Sequence, residues 1–258
     1  MYTIGILGHG VVGKALEEVY QETVFGQPLI KDIDRDEFTE DIDILNVCLP
    51  YSDDFITIVA KEMERVKPKL TIIHSTVEPY TTIKLRRKTK QLVVHSPIRG
   101  THDNLARSIN IFVKYIGADY HTDAKMAKEH FKELGFKRAK VFSPSVITEV
   151  NKLISTTYYG VCISFTEYVD NLCKKYEIPF QTFAHFNKSY NRGYRRMRMK
   201  NVNRPELYPP EGKIGGTCII PNTKILQKHL DHKLIQSILG VGETNTKVVD
   251  KKLDKKTN

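Results

Sequence analysis

Apolar positions fall in two rhythms along the first 144 residues. Short runs dense in Ile, Val and Leu cover 2–8, 27–33, 43–50, 69–75 and 91–95, with a further run near 111–116. Between them, apolar residues recur every three or four positions. Val12, Ala15, Leu16 and Val19 mark one face of a helix over about Val11 to Tyr20, and similar patterns predict helices over Asp54–Val66, Tyr80–Thr89 and Asp123–Leu134. Strands alternating with helices of this length predict a parallel sheet covered on both faces, with ligands at the carboxyl ends of the strands. Pro50, Ser75, Thr76 and Ser96 fall at those ends, and Val141–Pro144 closes this half.

The rhythm then changes. Val146, Val150, Leu153, Ile154, Tyr158, Val161, Phe165, Val169 and Leu172 keep helical spacing, which predicts one helix from about Ser145 to Tyr176, ~45 Å long. A helix of that length can link two domains and offer a dimer face. Ile225, Leu226, Leu230, Leu234 and Ile238 predict a last amphipathic helix over 224–239. Residues 187–204 are dense in Lys and Arg and are read as a loop. It is either a solvated surface or a phosphate clamp, since Arg grips phosphate bidentately and Tyr190 and Tyr194 are interleaved. The domains expected are 1–144, 145–245 and a charged, frayed tail over 246–258.

Composition narrows the class. The 258 residues, 40% hydrophobic and 27% charged, can bury a core, so disorder is not the default. No apolar run approaches the ~20 residues that span a bilayer, and the first residues carry no basic flank or cleavage pattern, so neither membrane nor signal peptide is read. Cys48, Cys162, Cys173 and Cys218 form no Cys-x-x-Cys pair, which suits a reducing, cytoplasmic setting without a metal framework. His95 and His102 are the histidines to inspect, but no metal site is expected. The net charge of +10 suits a phosphorylated or nucleotide-linked partner, with nucleic acid a secondary alternative.

The first strand runs into Gly8-x-Gly10-x-x-Gly13 and a helix. In that context the glycines have distinct uses: Gly8 for a tight turn, Gly10 for close approach of a pyrophosphate, Gly13 for packing helix on strand. The N–H groups at the helix start, from Val11 and Val12, then face the phosphates. Asp32 ends the second strand ~20 residues on, where a carboxylate would bond the adenosine ribose and repel a 2′-phosphate. The cofactor expected is NAD rather than NADP, with Lys31 and Arg35 nearby acting against that preference. The alternative for Asp32 is a solvated turn.

Near the other end, Glu211-Gly-Lys-Ile-Gly-Gly-Thr-Cys-Ile-Ile-Pro-Asn-Thr223 sets Cys218 after Gly215 and Gly216. Pro209 and Pro210 stiffen the approach, and Pro221 should delay the following helix. Taken alone, the stretch suits either a nucleophile on an open turn or a buried cysteine in a tight one.

Together these residues resemble the UDP-glucose/GDP-mannose dehydrogenase family, within the 6-phosphogluconate dehydrogenase-like group. The resemblance rests on the glycine motif, Asp32-Ile-Asp34, His74-Ser-Thr-Val-Glu-Pro79, Glu149-x-x-Lys152, Thr166-Glu167, Arg204 and Gly215-Gly-Thr-Cys-Ile-Ile-Pro-Asn-Thr223. It implies an α/β protein, a Rossmann-type doubly wound parallel sheet followed by a mostly α-helical domain built on one long helix, and a homodimer is expected. It also implies oxidation of a sugar-nucleotide primary alcohol with NAD. Cys218 would form a thiohemiacetal and thioester, Lys152 would face the oxyanion, and Thr76 would hold the water. Pro50, Ser75 and Thr76 would line the cofactor site, and Thr156, Arg204, Gly215 and Gly216 would meet the substrate. The sequence departs from the family in four places. Asn222 stands for an aspartate and Thr156 for an asparagine. Ile98-Arg99-Gly100 replaces glutamates, and the chain stops where a third, nucleotide-binding domain would begin, as in a short form. Two alternatives follow. One is a one-step β-hydroxyacid-type dehydrogenase using Lys152. The other is a non-catalytic NAD-binding or interaction protein.

Overall fold

The computed structural model describes residues 2–38, 42–214 and 218–242, and the chain divides into two compact units, Met1–Ser155 and Thr156–Asn258. The first unit is built on eight strands: β1 Ile4–Leu7, β2 Leu29–Asp32, β3 Arg35–Asp36, β4 Ile44–Val47, β5 Leu70–Ile73, β6 Val93–His95, β7 Lys114–Gly117 and β8 Ala139–Phe142. Their order in the sheet is β3-β2-β1-β4-β5-β6-β7-β8. The pairs β2–β3 and β6–β7 are antiparallel and the rest parallel, so the sheet is mostly rather than wholly parallel. Helices α1 Val11–Gln21, α2 Phe55–Val66, α3 Thr81–Thr89, α4 Leu105–Ile111 and α5 His121–Glu133 complete the unit.

The central strands β1, β4 and β5 are buried along their whole length. That explains why they read as continuous apolar runs rather than alternating ones. On one face Ile6, Leu16, Tyr20, Ile72 and Phe131 form a core; on the other Leu45, Phe55, Met63, Ile73 and Leu85 form a second. Each such large side chain contributes about 1.5–3 kcal/mol by leaving water. The strands β1 and β4 are parallel, but successive strands are added to one side of β1 up to β3 and to the other side from β4 on, and this switch in order opens a crevice at their carboxyl ends.

Two details differ from the sequence reading. The run near 111–116 divides into the end of α4, held by buried Leu105 and Ile109, and β7 from Lys114. The strand β8 lies at the sheet edge and is only partly covered, so its apolar signal is weak.

The second unit contains most of the long helix α6, Val146–Lys175, followed by α7 Phe180–Arg196, α8 Ile219–His229 and α9 Lys233–Leu239. Ile214, Ile238 and Val241 form its core, with Val161, Ile163 and Ile219 packed against them. The expected basic loop is mainly helix: α7 takes it as far as Arg196. Arg and Lys are good helix formers, so the basic run continues a helix whose Phe183, Phe186, Tyr190 and Tyr194 recur at helical spacing. The expected last helix is two, α8 and α9, with His232 capping α9 by accepting the Leu234 N–H at 3.2 Å. Pro221 does not delay α8. It sits in the first turn, where its missing N–H would have had no partner inside the helix. The tail from 246 lies outside the described residues.

Candidate functional site

The crevice begins with the turn after β1. Gly8 has φ of +96°, and a Cβ there would stand 3.0 Å from the Cys48 carbonyl carbon and the Leu49 nitrogen. At Gly13 a Cβ would run into the carbonyl oxygen of Gly8, so only glycine lets α1 start this close to β1. Gly10 caps α1 without a side chain, and the space beside it is open. Val11 is exposed and Val12 packs partly on the core. This geometry fits a dinucleotide pyrophosphate: backbone N–H groups at a helix start, beside the open space at Gly10.

Asp32, the last residue of β2, is fixed beside that turn. Its Oδ2 accepts the His9 N–H at 2.6 Å and its Oδ1 the Ile33 N–H at 2.7 Å. The bond from Ile33, then that from His9, holds the carboxyl below its ordinary range, so it is charged. Each carboxylate oxygen can accept a further bond, which leaves capacity for ribose hydroxyls. The basic neighbours are engaged elsewhere: Lys31 pairs with Asp36 at 2.8 Å and Glu62 at 3.0 Å, and Arg35 with Glu37 at 2.8 Å. The sequence could place these acids nearby but not across from their partners.

The loops after β4 and β5 are tied together. The Ser75 hydroxyl donates to the Leu49 carbonyl at 2.6 Å, and Tyr51 donates to Glu78 at 2.8 Å, flanking exposed Pro50. Thr76 is half-buried beside Ser75. His95, at the end of β6, is fully buried. Its Nε2 lies 3.1 Å from the Ser75 carbonyl and its Nδ1 2.8 Å from the Thr148 hydroxyl. Burial lowers its pKa to about 4, and the charge of Lys152 pushes the same way. Thr148 and Lys152 stand one turn apart on α6, so Lys152 shares a face with the group that touches His95. Ser75, His95, Thr148 and Lys152 therefore belong to one cluster of the first unit, with Thr76 next to Ser75 in the chain. His95 is engaged in this cluster; the His102 side chain lies outside the described residues.

Glu149 is the residue whose role sequence reasoning missed. It is fully buried, and its carboxylate accepts the Tyr80 N–H at 2.6 Å, the Thr82 N–H at 2.8 Å and the Thr82 hydroxyl at 2.6 Å. It thus caps α3, whose N-cap Tyr80 is left-handed with φ of 71°, and fixes the end of the His74–Pro79 turn. Burial raises its pKa while these bonds oppose the rise. A partner 67 residues away in sequence leaves no local signal.

His74 itself is structural. Its ring lies 2.8 Å from the Ser96 carbonyl and 2.9 Å from Asn46 Oδ1. Asn46 also accepts the Tyr20 hydroxyl at 3.2 Å, and Tyr20 meets His130 at 2.8 Å. Burial holds His74 near a pKa of about 3 and His130 near about 4, so both are neutral at pH 7.

The second unit holds the other predicted residues. Cys218 is the N-cap of α8, and its carbonyl accepts the Asn222 N–H at 3.1 Å. The Asn222 amide donates to the Thr156 hydroxyl at 3.1 Å. Two of the positions where the sequence departs from the resemblance, Thr156 and Asn222, are thus bonded to each other, as a neutral pair. Arg204 lies over Tyr190, 4.1 Å from the ring centroid, and 5.7 Å from that of Tyr194. Gly215 and Gly216 lie outside the described residues. No group of His, Cys, Asp and Glu suited to a metal ion occurs among the described residues, and no helix of theirs is long and apolar enough to cross a membrane.

The sequence matches no protein-family model and no curated protein. Solved structures share the fold. UDP-D-ManNAc dehydrogenase from Pyrococcus horikoshii is similar with a TM-score of 0.75 at 16% identity, over 93% of this chain and 68% of that one. A UDP-glucose dehydrogenase from Pyrobaculum islandicum gives 0.75 at 16% identity, over 94% and 68%. The 3-hydroxyisobutyrate dehydrogenase of Mycobacterium tuberculosis gives 0.67 at 12% identity, over 93% of this chain and 91% of that one. The likeness is one of fold. The chain spans about two-thirds of the length of the two UDP-sugar enzymes.

Proposed function

We propose that the chain is an NAD-dependent oxidoreductase that oxidises a primary alcohol on a sugar nucleotide or related phosphorylated substrate. The observation that carries this reading is the charged Asp32 pinned beside the open Gly8–Gly13 turn. NAD, when bound, supplies the hydride acceptor. Gly10, Val11, Val12 and Gly13 would face its pyrophosphate and Asp32 its ribose, with Pro50, Ser75 and Thr76 along the crevice. A carboxylate at position 32, with Lys31 and Arg35 paired to acids, favours NAD over NADP.

In the chemistry proposed, the alcohol first loses hydride and a proton to become an aldehyde. The Cys218 sulfur adds to the carbonyl carbon as a thiohemiacetal, a second hydride leaves to give a thioester, and water releases the acid and the thiol. An anion formed at Cys218 meets the positive end of α8. Lys152 supplies positive charge to the oxyanion, Thr76 orients the water, and Thr156, Arg204, Gly215 and Gly216 contact substrate. The exposed aromatics of α6, Tyr158, Phe165 and Tyr168, support a homodimer through that helix. No disulfide joins the four cysteines, which suits a reducing, cytoplasmic setting.

One observation favours a second reading, a one-step hydroxyacid dehydrogenase using Lys152. Asn222 bonded to Thr156 is a neutral pair that cannot take a proton. The chain also matches nearly the full length of the hydroxyisobutyrate enzyme. NADH yield per substrate across sugar nucleotides, hexose phosphates and short hydroxyacids, with Cys218→Ala alongside, separates the two. Two NADH per substrate, lost in the variant, is the expected result. One NADH, indifferent to Cys218, overturns the thioester route in favour of the second reading.

A further inference from the structure

The proposed chemistry gives no role to the cations of α7. Lys188, Arg192, Arg195 and Arg196 stand at i, i+4, i+7 and i+8, so they share one helix face. With Glu206 they line an open groove of about 450 Å³. Its wall is fixed by Asn191, whose side chain is buried. The Asn191 Oδ1 accepts the Arg204 N–H at 2.8 Å, and its Nδ2 donates to the Arg204 carbonyl at 2.9 Å and to Glu206 at 2.8 Å. Glu206 is thereby committed, and its remaining partner is Arg195 at 3.4 Å. Lys188, Arg192 and Arg196 form no ion pair among the described residues. Like charges one turn apart destabilise the helix that carries them, and among the described residues lining the groove one carboxylate, Glu206, stands against the four cations.

We propose that this groove is a phosphate site distinct from the crevice of the first unit, taking the diphosphate of a nucleoside diphosphate. Successive cations one turn apart rise by ~6 Å, so two of them can each take one of two linked phosphates. The arginines present bidentate forks to phosphate oxygens. Four cations less one carboxylate leave +3 in the groove. A diphosphate bears roughly −3, about −2 of it on the terminal phosphate. The exposed Arg204 guanidinium, held over Tyr190 and two residues before Glu206, offers a plane on which a base can stack. The inference stands on the groove and holds whether or not the chain is a dehydrogenase. The backbone of a nucleic acid carries the same phosphates, so the test must separate the two sources.

Calorimetric titration of the full chain with UDP, ADP, inorganic phosphate and a single-stranded 20-mer of dT, each with and without saturating NAD, makes the test. One equivalent of nucleoside diphosphate is expected per chain, undisturbed by NAD and weakened by added salt. It should weaken by about tenfold or more in the double variant Arg192→Glu, Arg196→Glu. Arg192→Gln, a milder change at an exposed position, should give a smaller loss with an unchanged circular dichroism spectrum. Four results overturn the proposal: no saturable nucleotide binding, displacement by NAD, the same affinity in the double variant, or inorganic phosphate binding as tightly as UDP. Binding of the oligonucleotide alone overturns it in favour of a polynucleotide.

Discussion

Mild acid should unfold the first unit through its buried histidines. His74, His95 and His130 are held neutral, with pKa values near 3, 4 and 4, mainly by burial. Unfolding restores a value of about 6.5. The unfolded chain therefore binds more protons than the native one below pH 6.5, and stability falls as pH falls. At pH 5 the gap from 6.5 costs about 2 kcal/mol per histidine, or roughly 6 kcal/mol for three, against a typical total of 5–15 kcal/mol. The acids with lowered pKa, Asp32, Asp36 and Asp43, contribute stability that is lost only below their unfolded values near 4, so they leave this window alone. Glu149, with its pKa raised, works the other way and offsets a part. Urea unfolding followed by circular dichroism at pH 7 and pH 5 reads the difference. His130→Phe isolates one share, because the ring sits among Tyr20, Phe25 and Phe131 and a phenyl group can occupy the space. The variant should lose about 2 kcal/mol less than the parent between the two pH values. A parent that loses under about 1 kcal/mol, or a variant with the same loss, would refute the reasoning.

Asp32→Ala should weaken NAD binding at least tenfold, measured by fluorescence titration of NADH, and unchanged affinity would reject the cofactor site. Gly13→Ala sets a methyl group against the Gly8 carbonyl and should cost about 1–3 kcal/mol of stability in urea, with loss of NAD affinity. An unperturbed urea midpoint would contradict the close approach. Glu149→Ala strands the buried donors of Tyr80 and Thr82 and should cost about 3–5 kcal/mol, whereas Glu149→Gln, which keeps an acceptor, should cost less. Equal losses in the two variants would show that the cap is not what Glu149 supplies.

The sheet was legible because β1, β4 and β5 are buried on both faces and so must be apolar throughout. The glycine motif was legible because two of its positions exclude any side chain. By contrast, the basic run of α7 was read as a loop although its aromatics keep helical spacing, and β8 hid behind its exposure at the edge. The candidate site was legible as a set of residues at strand ends. The bonds that organise it were not: Glu149 to Thr82, His95 to Thr148 and Asn222 to Thr156 join positions far apart in the chain.

By itself, then, the sequence determined the alternation of strand and helix, the glycine turn, the acid at the end of β2 and the length of α6. Each follows from local sterics or from a periodic apolar face, which neighbouring residues encode. Only the tertiary structure decided which polar groups are neutral in the core, which acid caps which helix, and that Lys31 and Arg35 are paired with acids. Those outcomes depend on desolvation and on partners brought together by packing, and neither is written in the order of adjacent residues.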